Sequence, residues 1–234
     1  MRARTAAIPA ALVGAIALAL VPALPAAAAE QVWDGTGGVG QWWSDASAWT
    51  AAPLANGDSV TFSAVAGAFQ TQSTLTDSGG ALPLGNVRFA TSHSVTGSST
   101  ALTTTGGISV TAGSSVVFNS DVTTSGAQTW LVGPESQLTL PGVIRVDPAS
   151  SLTLEIDGLV NATGNIDGQM TGLVTKIGEG TLVRTGNAGG AIGGGGLLIN
   201  EGVVLLDGVS GSGTSYVING GMLAGDRITA GITL

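Results

Sequence analysis

The chain has 234 residues, no cysteine and a formal net charge of −8, with only 9% of residues charged. An acidic balance without any basic cluster argues against a nucleic-acid partner, and the missing cysteines exclude disulfides and thiolate metal sites. Gly, Ser and Thr are plentiful, yet Val, Leu and Ile recur throughout; this composition excludes a disordered chain and points to ordered β structure with an uncharged, hydroxyl-rich surface.

The first 29 residues read as a secretory signal peptide. Arg2 and Arg4 open it, an apolar run follows at 11–24, and Pro25 leads into the alanines at 26–29. Cleavage is expected after Ala29. Gly14 and Pro22 interrupt the run, whereas a membrane span needs about 20 apolar residues. Ala3 separates the arginines, so the twin-arginine pattern is absent, and without cysteine no lipoprotein anchor is built. Without Arg2 and Arg4, five basic residues face fifteen acidic ones, a net charge of −10. No later run is long enough for a helical membrane span.

Residues 30–63 hold Trp33, Trp42, Trp43 and Trp49, with no coil pattern before 59–62. A Trp-rich N-terminal cap is expected here, because the first unit of a stacked array must cover an apolar end. The competing reading is a platform of exposed rings for sugars.

Residues 64–234 read as repeats. Runs such as 108–110 and 116–118, 130–132 and 138–140, 143–146 and 152–156, and 216–218 and 222–223 flank Gly-, Asn- or Pro-bearing turns. No stretch has a helical period; each pair is strand, turn, strand. The turns fall near 113, 134, 148, 179, 202 and 221, with a further coil expected around 159–168 between the third and fourth. A spacing of about 20 residues suits one coil of a parallel β-helix, whose short strands become stable only by stacking. Leu138, Leu140, Leu152, Leu154, Leu182 and Leu205 are expected to point inward. The alternative fold is an antiparallel sandwich.

The segment KIGEGTLVRTGNAGGAIGGGGLLINEGVVLLDG, 176–208, resembles the autotransporter-associated β-strand repeat of large bacterial secreted and surface proteins. INGGMLAGDRITAGITL from Ile218 is similar to the coil that follows such repeats. WDG at 33–35, NGDSVTF at 56–62 and NVRFA at 86–90 are similar to the leader before them. The resemblance implies an all-β, right-handed parallel β-helix that serves as a passenger stalk or adhesin-like surface, with no catalytic motif in the repeat. Its expected partners are host or cell-surface glycans or proteins. No β-barrel translocator pattern follows the repeats before Leu234, so the chain is expected to be a fragment or to use general secretion alone.

The chemistry-bearing residues are few. His93, the single histidine, is expected in a solvated loop, without a nucleophile or metal partner. Glu155 and Asp157 are expected to point outward from one strand, about 6.5–7 Å apart, near the lower edge of the inverting-glycosidase range, with Arg145 one coil away. They carry the alternative reading, a polysaccharide-acting lyase or hydrolase on the same fold. The glycine run at 189–196 lacks the Lys-Ser/Thr ending of a phosphate loop, and WDGTGGVG at 33–40 has too few acids for a calcium repeat. Asn161, Ala162 and Thr163 match a glycosylation acceptor. The expectation is a secreted or surface-exposed, non-enzymatic solenoid with no catalytic, metal or cofactor residues.

Overall fold

The computed structural model describes residues 28–33, 41–43, 49–50, 54–63, 72–74, 83–97, 101–164, 166–168, 173–185, 196–207, 215–225 and 231–234. The signal segment through residue 27, residues 34–40 of WDGTGGVG and the glycine run at 189–195 lie outside them. Every described element is a β-strand.

The strands form stacked faces. The first face runs β1 (Glu30–Trp33), β3 (Ser59–Phe62), β5 (Pro83–Phe89), β7 (Leu102–Val110), β10 (Ala127–Val132), β13 (Ser151–Ile156), β16 (Leu173–Ile177), β18 (Leu197–Ile199), β20 (Ser215–Ile218) and β22 (Gly231–Thr233). The second runs β2 (Gln41–Trp42), β4 (Gln72–Thr74), β6 (His93–Thr96), β8 (Ser115–Asn119), β11 (Gln137–Leu140), β14 (Leu159–Ala162), β17 (Thr181–Thr185), β19 (Val203–Asp207) and β21 (Met222–Gly225). A short third face, β9 (Val122–Thr124), β12 (Ile144–Val146) and β15 (Ile166–Gly168), joins the front half of β7.

Strand pairing is parallel within each ladder, with neighbours one coil apart. Parallel neighbours cannot be joined by hairpins, so the chain must wind round to reach the next rung. The fold is therefore a parallel β-solenoid, not an antiparallel sandwich. Parallel crossovers take the right hand because of the intrinsic twist of strands. The Trp-rich segment joins this stack earlier than its sequence implies: β1 pairs with β3 and β2 with β4.

The middle of the winding has a steady period. On the second face Ser115 pairs with Gln137, Gln137 with Leu159, Leu159 with Thr181 and Thr181 with Val203, a step of 22 residues each time. On the first face Ala127 to Ser151 is 24 residues, and both faces shorten to 19 at the later coils, Leu197 to Tyr216 and Val203 to Met222. The expected turn near 148 therefore belongs to a different corner. It joins β12 to β13, whereas the bend equivalent to those near 134 and 179 is at 157–158, before β14. The coil expected around 159–168 is present as β14 and β15.

Close packing at that corner explains its glycines. A Cβ on Gly158 would lie 2.3 Å from the Ser136 carbonyl oxygen, and one on Gly180 would lie 2.2 Å from the Gly158 carbonyl oxygen. Each bend sits against the backbone of the coil below, which leaves no room for a side chain.

Alternation within most strands sends every second residue inside, as in β3, β10, β11 and β13. Along β13, Leu152, Leu154 and Ile156 are buried while Ser151, Thr153 and Glu155 are partly exposed. The ladders stack these positions into columns. One runs Phe62, Phe89, Val110 on the first face, and another runs Val116, Leu138, Val160, Leu182, Val204 on the second. Burying such an aliphatic side chain contributes about 1.5–3 kcal/mol. Five of the six leucines expected inside are buried. Leu205 is not; it is 37% exposed. Its partner is Val183, while Val204 aligns with the inward Leu182. The run 203–206 is apolar throughout, so only register separates its inner from its outer positions.

The N-terminal coils are filled by rings. Phe62 and Phe89 stack at 4.8 Å, Trp43 lies 5.3 Å from Phe62, and Trp49 meets Trp33 edge-on at 5.1 Å. Trp49 Nε1 donates to the Trp43 carbonyl. Trp33, Trp43 and Trp49 are all interior, so they form no exposed sugar platform.

Leu138→Ala should lower unfolding free energy by about 2–5 kcal/mol, the range for a buried leucine. Leu205→Ser should change it by no more than about 0.5 kcal/mol. Urea denaturation of the two variants checks the assigned register; comparable losses would contradict it.

Candidate binding groove on the first face

The outer surface of the first face carries rows of side chains about 4.8 Å apart, the spacing of paired strands. One row runs Thr61, Arg88, Ser109, Leu131, Glu155 in register across β3, β5, β7, β10 and β13. The neighbouring row includes Thr129, Thr153 and Thr175. At the N-terminal end these rows dip into an open groove of about 410 Å³, lined by Glu30, Ser59, Thr61, Asn86, Arg88, Ser109 and Thr129, with Ala28 and Ala29 at its rim.

Backbone geometry makes the dip. Gly107 has φ +114, and a Cβ there would lie 2.3 Å from the Thr129 carbonyl oxygen. The strand therefore bends where β7 passes from the third face to the first, and the Thr129 backbone closes in where a side chain would stand. β5 shifts register opposite it, between Leu84 and Asn86.

The lining offers hydroxyls, one amide, one carboxylate and one guanidinium. Thr61 Oγ1 donates to Glu30 Oε1 at 3.3 Å, and Ser59 Oγ accepts the Asn86 backbone N–H at 3.1 Å. Arg88 and Asn86 are exposed. The arrangement suits hydrogen bonding to a polar, extended ligand. It places no histidine and no paired carboxylates around a reacting atom.

The residues singled out by sequence fall elsewhere. His93 is not in a solvated loop. It lies on β6, only 4% exposed, with its ring 4.4 Å from Phe62 and 5.9 Å from Phe89. It begins the column that continues through Val116, which its TSHSVTG flanks do not reveal. Burial pushes its pKa down from 6.5 to about 4.

Glu155 and Asp157 do not share a strand face, because β13 ends at Ile156 and Asp157 stands at the bend. Arg145 is on β12 of the third face, where Nη1 contacts Asp121 Oδ2 at 2.7 Å. Partial burial opposes ionisation of Asp121, but the Val143 amide and Arg145 together hold its carboxyl below the usual range. The proposed carboxylate–arginine constellation is thus dispersed. Asn161 lies within β14, paired with Thr139 and Val183.

Two interior cations escaped the sequence reading. Lys176 aligns with Leu154 below and Ile199 above, and is fully buried. Its Nζ donates to the carbonyls of Gly178 at 2.8 Å, Glu201 at 3.2 Å and Ile177 at 3.3 Å, while Glu201 Oε2 accepts the Gly178 amide at 2.9 Å. Burial lowers the ammonium pKa, against the pull of Glu201 and Asp157. Arg184 is also inside, level with Ala162 and Leu206. Burial lowers its pKa and Tyr216 opposes the shift. Parity was the available signal: both cations sit two residues after an inward side chain, Val174 and Leu182. Among the described residues, no cluster of three or more His, Asp or Glu has metal-site geometry.

A scan against protein-family models and searches of curated proteins and of solved structures returned no match.

Lys176→Met should cost about 2 kcal/mol or more, since it leaves carbonyls at the corner without their charged donor; urea unfolding measures the loss. His93 gives a pH signature. Its folded pKa lies below its unfolded value, so the unfolded chain binds the extra proton between pH 6.5 and about 4. The contribution is complete above 6.5 and declines as pH falls toward 4, by about 3 kcal/mol in total. In His93→Leu that part of the slope should vanish when urea midpoints are compared near neutral pH and near pH 4.

Proposed function

We propose that this chain is an exported bacterial β-solenoid of the autotransporter-associated repeat type, with a structural, adhesin-like role at the cell surface. Its task is display and binding without turnover. The observation that carries the reading is the polar groove continuing into outward rows on a stiff stack of parallel coils. A groove crossing β1, β3, β5, β7 and β10 extends about 19 Å at the spacing of paired strands. That length accommodates several units of a surface glycan, or an extended segment of a surface protein. Hydroxyls, Asn86 and Arg88 supply hydrogen bonds along it, each modest alone and effective together. The signal-like start at residues 1–29 and the repeat resemblance at 176–208 support export and surface placement. The scattering of Glu155, Asp157 and Arg145 counts against the polysaccharide-cleaving alternative.

The test is surface plasmon resonance of the exported protein over immobilised polysaccharides and glycoproteins. Binding to at least one surface should weaken about 10-fold in Arg88→Ala combined with Asn86→Ala, equivalent to about 1.4 kcal/mol. Release of reducing ends from the same polysaccharides should stay at background. Binding indifferent to the groove variants would refute the placement of the site. Turnover abolished by Glu155→Gln would instead establish the enzyme.

A further inference from the structure

Asp58 is a buried carboxylate, 4% exposed, just before β3. Its Oδ1 accepts the backbone amide of Ala29 at 2.9 Å and its Oδ2 accepts that of Ala55 at 2.9 Å. Among the described residues, no side-chain cation forms an ion pair with it. A buried carboxylate whose donors among the described residues are neutral is an unusual arrangement, because such charges are normally paired. The donor at Oδ1 comes from the stretch of alanines where a signal peptide would be cut.

We propose that the processed bond is Ala28–Ala29, and that the new α-ammonium of Ala29 is the counter-charge of Asp58. This rests on the signal-peptide reading and refines it, moving the cut one residue earlier than the expected position after Ala29. Both registers satisfy the small-residue rule, with Ala26 and Ala28 or Ala27 and Ala29 at the third and first positions before the cut. The folded structure separates them. Ala29 also accepts the Ser59 amide at 2.9 Å, which begins the β1–β3 ladder. A cut after Ala29 removes the donor to Asp58 and the acceptor for Ser59 together. A nitrogen one residue further along lies about 3.3 Å down the strand. A cut before Ala29 keeps both bonds. Hydrolysis adds water across the bond, leaving a carboxylate on Ala28 and an ammonium on Ala29. The ammonium stands where the amide stood, and an amide–carboxylate hydrogen bond becomes an ammonium–carboxylate ion pair. The cut also removes Ala28 from the rim of the binding groove.

The experiment begins with the full precursor, expressed in an exporting bacterium and secreted. Intact-mass and N-terminal sequencing should find Ala29 as the first residue. A start at Glu30 or elsewhere overturns the proposal and leaves the signal reading standing; uncleaved precursor overturns both. The ion pair is then read from thermal melting of the Ala29-starting protein, with a free or an acetylated amine. Acetylation should lower Tm by about 2–4 °C. The same modification in Asp58→Asn should shift it far less; equal shifts overturn the pair. Acylation kinetics provide a check without any variant. The Ala29 amine should react at least 10-fold more slowly in the folded protein than in urea, and equal rates again refute the pairing.

Discussion

Vertical register is the constraint on which this molecule depends. In a parallel solenoid each residue sits on its counterpart one coil earlier, so the character of a position is passed along a column. Leu138, Val160, Leu182 and Val204 are buried because each lies on another apolar side chain. The steady second-face step and the side-chain-free corners at Gly158 and Gly180 enforce that alignment. The corner between the first face and the second absorbs one irregularity: six residues separate Leu131 from Gln137, but only four separate Glu155 from Leu159.

The same stacking decides how polar groups are tolerated inside. Gln128 is 4% exposed, yet it accepts a hydrogen bond from Thr104 Oγ1 at 2.7 Å and donates to the carbonyls of Thr104 and Ser125. Lys176 reaches the corner carbonyls of its own coil and the next, which joins two turns of the winding through one ammonium. Such groups are costly when unpaired and specific when satisfied. They consume the interior chemistry of the chain in holding coils together. What remains for recognition is the outer surface, where the groove near the N-terminus collects Glu30, Asn86, Arg88 and the hydroxyls.

Much of the fold was legible because strand alternation and turn residues are local signals. The paired runs around 113, 134, 179, 202 and 221 all became strand–bend–strand units. The errors share one cause. Leu205 lies in an uninterrupted apolar run, the turn near 148 looks like the others but closes a different corner, and His93 has polar neighbours while its ring points into the aromatic cluster. In each case the deciding contact comes from a residue about 20 or more positions away. The expected spacing of Glu155 and Asp157 changes for a similar reason, since β13 ends at Ile156 and Asp157 stands at a bend. The groove was not legible at all, because it is assembled from five strands and a glycine bend.

By itself, the amino-acid sequence determined that this chain forms short β-strands in stacked repeats with apolar interiors and hydroxyl-rich exteriors. Those properties follow from side-chain parity and from residues that favour bends, both of which act over a few positions. Only the tertiary structure decided which side of the unbroken apolar run at 203–206 is inside, where the 148 corner lies, that Trp33, Trp43, Trp49 and His93 are interior, and that Lys176 and Arg184 enter the core. These depend on the coil-to-coil offset, and shifting it by a single residue would exchange inner and outer side chains along an entire strand.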